Sequence, residues 1–329
     1  MPVTESATTG APRLRVVLCT CDGAFGTLVL ERLLVCARLR VTGVVRSTRV
    51  LSPRFGFWRG ALGQIRRSGL TYAAYLLAAT KIADTLCRLE QRPCVARLAA
   101  ARAIPTLQTR DVNDVVGHAF VARRNPQLLV SAFFNQRFSP ALLSLPSLGC
   151  VNIHPSLLPQ FRGTDPVFQA QLRQAPIGVT LHLMSSSLDE GNVLAQDPVA
   201  VPSDASTFAA TAELFRRGVE LLLARLEAIE RGDPGTAQRG TASYHSWPTR
   251  AQVRQFHARG GVLLRLADLA QCLRRHPPRR EALRWRAPNQ DEVRAKSGYR
   301  CDAGIASLQS KRAQSLVEHR HGRARHRPR

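Results

Sequence analysis

The sequence has no cysteine spacing that would indicate a metal site or a disulfide framework. It contains eight cysteines, none in a CxxC pair. Most lie in apolar runs, where a free cysteine acts as a small hydrophobic side chain. This pattern predicts a reduced, cytoplasmic protein without a bound metal ion. The cysteines are residues 19, 21, 36, 87, 94, 150, 272 and 301.

The chain also lacks a long apolar segment. A membrane-spanning helix needs about 20 apolar residues, and the nearest candidate, residues 70–86, contains Lys81 and Asp84. Residues 1–12 do not have the basic-then-apolar arrangement of a secretory signal peptide. We therefore expect no transmembrane helix and a cytoplasmic location.

Acidic residues are scarce. Asp and Glu number 23 against 47 Lys and Arg, a formal net charge of +24. This charge favours an anionic partner, such as nucleic acid, a phosphorylated metabolite or an acidic membrane surface. Frequent use of arginine without any functional reason explains it equally well. Residues 274–329 alone contain 16 basic and 5 acidic residues and few apolar ones, so we expect a disordered basic tail there.

Short apolar runs alternate with helical patterns through most of the chain. Residues 14–19 have the pattern of a buried strand, and residues 206–231 that of a long amphipathic helix. The alternation predicts an α/β, Rossmann-like fold with a mostly parallel sheet and helices on both faces. We expect a catalytic domain over residues 13–232, a small helical extension over 233–273, and then the basic tail.

Residues 54–92 form an insertion after the second predicted strand. Aromatic and aliphatic residues are mixed there with Arg59, Arg66, Arg67 and Lys81, which predicts two basic amphipathic helices. One interpretation is contact with a membrane surface, or a lid. The interpretation we favour is a helical layer packed on the sheet with its arginines in solvent.

A glycine turn at Gly23 and Gly26 follows the first predicted strand. Amide groups at the start of the next helix could bind a phosphate or carboxylate, so Gly23 is a candidate substrate-binding residue. The turn is not a GxGxxG motif, and glycines of this kind more often only permit a tight turn.

Asn152 and His154 lie two residues apart at the end of another predicted strand. Side chains with this spacing point to the same face, and α/β proteins bind ligands at the carboxyl edge of the sheet. Asp189 follows a later strand and is expected to approach His154.

This trio suits acyl transfer between nitrogens. Asn152 and a protonated His154 would donate hydrogen bonds to the tetrahedral oxyanion. Asp189 would stabilise the protonated imidazole and accept, through a water, the proton that the attacking amine loses.

Two motifs contain these residues: N-x-H-P-S-L-L-P-x-x-R-G-x-x-P at 152–166 and G-x-T-x-H-x-M-x-x-x-x-D-x-G at 178–191. In both, the sequence resembles the folate-dependent formyltransferase family, which includes glycinamide ribonucleotide, methionyl-tRNA and amino-sugar formyltransferases. A looser resemblance covers residues 13–230. It implies that Asn152, His154 and Asp189 are catalytic, and that 10-formyltetrahydrofolate is the formyl donor, without a metal.

The resemblance also implies where the two substrates bind. The folate is expected against residues 133–138 and the loop before Asp189, and the amine acceptor beside the glycine turn and the Arg-Gly pair. Arg162 would bind an acceptor phosphate or brace its loop. The folate-binding candidates are Phe133, Phe134, Gln136, Leu157 and Gly191, and the acceptor-binding candidates are Gly23, Arg162 and Gly163.

The acceptor is left open. Our first expectation is a small-molecule amine, an amino-sugar nucleotide or a similar anionic metabolite. Methionyl-tRNA is an alternative, less favoured because motifs of the extra barrel domain of that branch are not visible after residue 240. Hydrolysis of the formyl folate, or binding of folate or nucleic acid without turnover, are further alternatives. The sequence indicates no oligomeric state.

Two segments depart from the family pattern. Asn135-Gln136 stands where relatives often carry Gly-Gln, and the loop at residues 185–187 is three serines.

His182 is predicted to be a core histidine with satisfied hydrogen bonds. Tyr244 and Trp247 are expected to pack the end of the domain.

Overall fold

A computed structural model describes residues 13–49, 56–89 and 93–273. The predicted basic tail at 274–329 lies outside the described residues, as do parts of the predicted insertion.

A seven-stranded sheet organises the molecule, in the order β3-β2-β1-β4-β5-β7-β8. A separate ladder joins β6 to β9. The strands are β1 (Leu14–Cys21), β2 (Leu39–Ser47), β3 (Thr106–Thr109), β4 (Leu128–Ala132), β5 (Cys150–His154), β6 (Arg162–Gly163), β7 (Gly178–Leu183), β8 (Val193–Pro198) and β9 (Tyr244–His245).

The first five strands of this sheet run parallel, whereas β7 and β8 run antiparallel to their neighbours. Because β1 pairs with both β2 and β4, the strand order reverses at β1, which is where an open α/β sheet forms a crevice. The predicted Rossmann-like, mostly parallel fold is confirmed.

Helices cover both faces of the sheet. Alternate residues of β1 show this directly: Val16 and Leu18 belong to one hydrophobic core, Val17 and Cys19 to the other. A strand buried on both sides has no polar face, which explains the continuous apolar run in the sequence. The helices are α1 (Ala24–Val35), α2 (Gly56–Ser68), α3 (Leu70–Leu77), α4 (Ala83–Leu89), α5 (Val95–Ala100), α6 (Val115–Arg123), α7 (Pro140–Leu143), α8 (Pro166–Leu172), α9 (Thr207–Glu230), α10 (Arg250–Ala258) and α11 (Leu266–Leu273).

The insertion consists of two helical stretches, as predicted. The first is α2, and the second runs from α3 through a π-helical segment, Ala78–Ile82, into α4 without interruption. Gly69, with φ of 88°, separates the two stretches. The first stretch packs on α10 and the π-helical segment on α1, while Tyr72, Tyr75 and Ala79 belong to the core on one face of the sheet.

The segment after α9 packs on the same core. Thr249 caps α10 through a reciprocal capping box with Gln252. Phe256 of α10 lies 4.9 Å, ring to ring, from Phe168 of α8. The proposed domain boundary at residue 232 stays a prediction. Within the described part of the chain, no helix is both long and apolar enough to cross a bilayer.

Candidate active site

A cavity of about 460 Å³ opens at the carboxyl ends of β1, β4 and β5. This is the crevice where the strand order reverses. Both motifs from the sequence reach it, because β5 and the segments after β6 and β7 contribute to its wall. The polar and charged residues that line it include Arg49, Gln64, Thr80, Ser131, Asn135, Gln136, Arg137, Asn152, His154, Thr164, Asp165, His182, Asp189 and Thr211.

His154 and Asp189 face one another in the cavity, as predicted. The His154 Nδ1 atom lies 3.6 Å from the Asp189 Oδ1 atom, and both side chains are about 6% exposed. His154 Nε2 lies 3.1 Å from the carbonyl oxygen of Phe161. Both ring nitrogens of His154 therefore face oxygen acceptors, and a ring N–H can donate to either of them.

The backbone fixes the Asp189 carboxylate. The amide of Gly163 donates a hydrogen bond of 2.9 Å to Asp189 Oδ2, and Gln238 donates to the Asp189 carbonyl. Asp189 has a left-handed φ of 56°, and Phe161, which accepts from His154, has 57°. Such conformations are costly for non-glycine residues and are found where the surroundings enforce them. The carboxylate is therefore held in place before any ligand binds.

Asn152 is positioned by His182, directly opposite it in the β5–β7 register. The Asn152 amide nitrogen lies 3.1 Å from His182 Nε2, and His182 Nδ1 lies 2.8 Å from the Leu183 carbonyl. A neutral ring with its proton on Nδ1 satisfies both contacts. Burial, followed by the nearby charge of His154, lowers the pKa of His182 to about 4. His182 is thus a neutral acceptor that leaves the second amide hydrogen of Asn152 for a ligand.

The cavity also contains Cys21, at the end of β1. Burial raises the pKa of its thiol to about 12. The nucleophilic thiolate is negligible at neutral pH, so the geometry favours direct attack by a bound amine over a covalent thioester route.

Three of the five predicted folate-binding residues line the cavity: Phe133, Phe134 and Gln136. The Gln136 amide is already used within the protein, since it accepts from the amide of Val112 and donates to the hydroxyl of Ser47. It therefore holds the loop after β4 in place.

The other two are not among the cavity-lining residues, which favours packing roles over the predicted folate contacts. The side chain of Leu157 lies against Gly178, 2.4 Å from where a Cβ would be. At Gly191 a Cβ would lie 1.7 Å from the carbonyl oxygen of Leu183. Gly191 is thus needed for the close approach of two backbone segments.

The predicted acceptor-binding residues divide in the same way. Gly163 lines the cavity, whereas Gly23 packs closely against the π-helical segment, where a Cβ would lie 2.4 Å from the Ala79 carbonyl. Arg162 also lies away from the lining and is occupied by Glu190 at 2.8 Å and Gln238 at 2.7 Å. The position of Arg162 supports the bracing alternative over phosphate binding.

A buried ion pair adds a further reason against a phosphate beside Gly23. The carboxylate of Asp22 accepts two hydrogen bonds from Arg46, at 2.6 and 2.8 Å, and both side chains are buried. A carboxylate therefore already occupies the position next to the glycine turn, and the arginine that balances it is not free for a ligand.

Comparison with known proteins identifies the family. The model of the formyl transferase family matches residues 66–226, which include the trio and both motifs. The methionyl-tRNA formyltransferase of Roseiflexus sp. (strain RS-1) is 35% identical over 210 residues, 64% of this chain and 55% of that protein. The predicted resemblance to the formyltransferase family is confirmed over residues 66–226.

Two solved structures are similar to parts of this chain. Glycinamide ribonucleotide transformylase 1 from Symbiobacterium toebii has a TM-score of 0.48 and 15% identity, covering 72% of this chain and 99% of that one. A sugar N-formyltransferase from Shewanella sp. FDAARGOS_354 has a TM-score of 0.47 and 18% identity, covering 79% and 88%. The chain spans about half the length of the curated relatives it matches.

Sequence reasoning missed several residues of this site. His182 is a buried histidine with both ring nitrogens hydrogen-bonded, as predicted, but it also lines the cavity and fixes Asn152, a role that the sequence does not show. Its position in the second motif, two strand residues before Met184, was the available signal. Tyr75, Asp165 and Trp247 also line the cavity. Tyr75 and Trp247 lie far from both motifs in the sequence, whereas Asp165 lies inside the first motif without a predicted role.

Proposed function

We propose that the protein transfers a formyl group from 10-formyltetrahydrofolate to a primary amine. The observation that carries this proposal is the pre-assembled group of Asn152, His154 and Asp189, held by backbone contacts in one cavity. The match to the formyltransferase family supports the formyl donor.

Each residue has a distinct role in the proposed reaction. The amine nitrogen attacks the formyl carbon, and the new oxyanion accepts one hydrogen bond from Asn152 and one from the His154 Nε2–H, which leaves the Phe161 carbonyl to make it. A water between the amine and Asp189 passes the amine's proton to the carboxylate. The bond between the formyl carbon and the folate N10 then breaks, N10 takes a proton from His154, and the proton held by Asp189 passes to His154 and restores both groups. The products are the formamide and tetrahydrofolate.

An amino-sugar nucleotide is the acceptor that we propose first. Its ring fits a cavity wall with aromatic residues such as Tyr75 and Trp247, because apolar ring faces pack on aromatic side chains. The phosphates of such a nucleotide would have to lie towards the exposed, basic rim.

Release of tetrahydrofolate tests the proposal. Purified protein would be mixed with 10-formyltetrahydrofolate and either an amino-sugar nucleotide, glycinamide ribonucleotide, methionylated initiator tRNA or no acceptor, and absorbance followed. We expect release with one acceptor, its loss in His154→Ala, and normal release in His118→Ala, a matched control on α6. Equal release without an acceptor would instead show hydrolysis, and absence of both release and folate binding would contradict the proposal.

Methionyl-tRNA is a second candidate acceptor, favoured by an exposed basic surface at the cavity rim. Helices α2 and α10 pack together, and α2 supplies Gln64 to the cavity. Residues 56–83 and 234–267 contain no acidic residue, so no carboxylate within these segments offsets the positive charge of their arginines. Curated relatives with this activity add support. The surface, called here the α2–α10 basic surface, comprises Arg59, Arg66, Arg67, Arg250 and Arg254.

A further inference from the structure

One carboxylate at the cavity is not explained by the proposed chemistry. Asp165 lies two residues after Gly163, at the start of α8, and lines the same cavity as the trio. It has a left-handed φ of 45°, which an aspartate tolerates better than most residues. Its position places a second negative charge near the reacting centre.

Protein contacts use only part of the hydrogen-bonding capacity of Asp165. The hydroxyl of Tyr72 donates to Oδ2 at 2.5 Å, and the amide of Phe168 donates to Oδ1 over a longer 3.4 Å. Each carboxylate oxygen has two acceptor positions, so capacity remains for a ligand. Tyr75 and Thr211, which also line the cavity, complete a polar cluster with Asp165.

No cation balances Asp165 among its described contacts, since both hydrogen-bond donors are neutral. The arginines in the lining, Arg49 and Arg137, lie on the segments after β2 and β4. Burial raises the pKa of Asp165 to about 6, with the bond from Tyr72 opposing the shift. A half-buried carboxylate without a cation destabilises the fold, and groups of this kind cluster at functional sites.

We propose that Asp165 selects the acceptor by accepting a hydrogen bond from a donor group beside the reacting amine. The donor is either the ammonium form of that amine before it loses its proton or a neighbouring hydroxyl. An acceptor with a carboxylate or phosphate at this place would be repelled. The inference rests on the proposed function, because it concerns the acceptor of that same site.

The insertion supports this role structurally. Tyr72 and Tyr75 both come from α3, so the helix that contributes to the cavity wall also orients the carboxylate. Burial raises the pKa of both tyrosines, and each therefore keeps its hydroxyl proton at neutral pH. Trp247, 6.4 Å from Tyr72 ring to ring, continues the same wall.

The test compares wild type with Asp165→Asn. Asparagine also tolerates a left-handed φ and caps helices as well as aspartate does, so the fold should persist. Asp114→Asn is the matched control, because Asp114 caps α6 through Gly117 away from the cavity. The probes are a nucleoside-diphosphate-linked amino sugar and its analogue without the hydroxyl next to the amine. Calorimetry gives their affinities, and kinetics give kcat and KM.

We expect Asp165→Asn to weaken acceptor binding about tenfold or more, with folate affinity unchanged and kcat altered about twofold or less. Wild-type affinity should rise from pH 5 to pH 7, and this rise should disappear in the variant. If Asp165→Asn binds both probes more weakly than wild type does, the ammonium is the donor. If it binds only the hydroxylated probe more weakly, the hydroxyl is the donor.

Equal acceptor affinity in wild type and Asp165→Asn would overturn the inference, whatever the turnover. If Asp165→Asn binds the acceptor more weakly but the wild type transfers no formyl group, the inference holds. The proposed function is then contradicted instead. A similar loss in Asp114→Asn would show that a general change in helix capping is responsible, and would also overturn the role of Asp165.

Discussion

The two ends of the cavity are built in different ways. At the end formed by β5 and the loop after β7, each side chain of the trio contacts backbone groups or its direct cross-strand neighbour. At the end formed by the insertion, aromatic residues surround the single carboxylate of Asp165. The first arrangement fixes atoms for a reaction, whereas the second offers a surface that can vary with the acceptor. The two ends of the cavity therefore suit different tasks, although Asp165 lies in the same motif as Asn152 and His154.

Removing the charge of Asp189 should give the largest effect. Asp189→Asn keeps the left-handed backbone and an acceptor for the Gly163 amide, but it removes the base and the charge beside His154. We expect kcat to fall on the order of 10²–10³-fold, with folate affinity nearly unchanged. Stopped-flow and equilibrium fluorescence measurements would check both values, with Asp204→Asn, an exposed position, as control. Unchanged kcat would remove Asp189 from the mechanism.

Loss of the support for Asn152 should have a smaller effect. In His182→Leu the amide of Asn152 loses its acceptor, and we expect kcat to fall about 10- to 100-fold, because misplaced groups react poorly. His182→Gln should restore most of the rate, since its side-chain oxygen can accept the same hydrogen bond. The pKa of His182 is about 4, so neither variant should change the pH dependence of kcat above pH 5. If leucine and glutamine behave alike, His182 only fills space.

At the other end of the cavity, Asp165→Asn should increase stability. The pKa of Asp165 is raised from 3.8 to about 6 on folding, so the native state binds its proton more tightly than the unfolded chain. Wild type therefore loses stability as the pH rises from about 4 to 6, and the loss remains above pH 6. Asparagine avoids it, which predicts a gain of at most about 2–3 kcal/mol at pH 8. Urea unfolding at pH 8 and pH 4 should show this gain at the higher pH only.

The smallest expected effect concerns the α2–α10 basic surface. If tRNA phosphates bind there, Arg66→Gln with Arg67→Gln should weaken tRNA binding several-fold and reduce its salt dependence by about two units of slope. Affinity for a nucleotide-linked amino sugar should stay the same. Filter binding at several salt concentrations measures the slope. An identical slope in wild type and the double variant would exclude these arginines from tRNA contact.

The sequence alone predicts the end of the cavity that contains the trio better than the end formed by the insertion. Asn152 and His154 are two residues apart on one strand, so strand geometry brings them to one face, and the second motif supplies Asp189. Buried strands such as β1 were visible as apolar runs. The antiparallel direction of β7 was not, because an apolar run has no direction.

Individual side chains in the loops were less predictable. Membership in a motif located the loop of Arg162 but not its partners, Glu190 and Gln238, which turn it away from the cavity. Asp165 and Tyr75 come from segments 90 residues apart, and only the packing of the insertion reveals that they are neighbours. Long-range packing of this kind leaves no periodic signal in the sequence.

The different positions of two tryptophans give the protein an optical property. Trp247 lines the cavity and packs on Tyr72, whereas Trp58 on α2 is 82% exposed. Indole emission shifts to longer wavelength in water, so Trp58 contributes a constant red-shifted background and Trp247 a bluer component. Of these two described tryptophans, a molecule entering the cavity displaces water only from Trp247, and its arrival can be followed by the native fluorescence of the protein without any attached label.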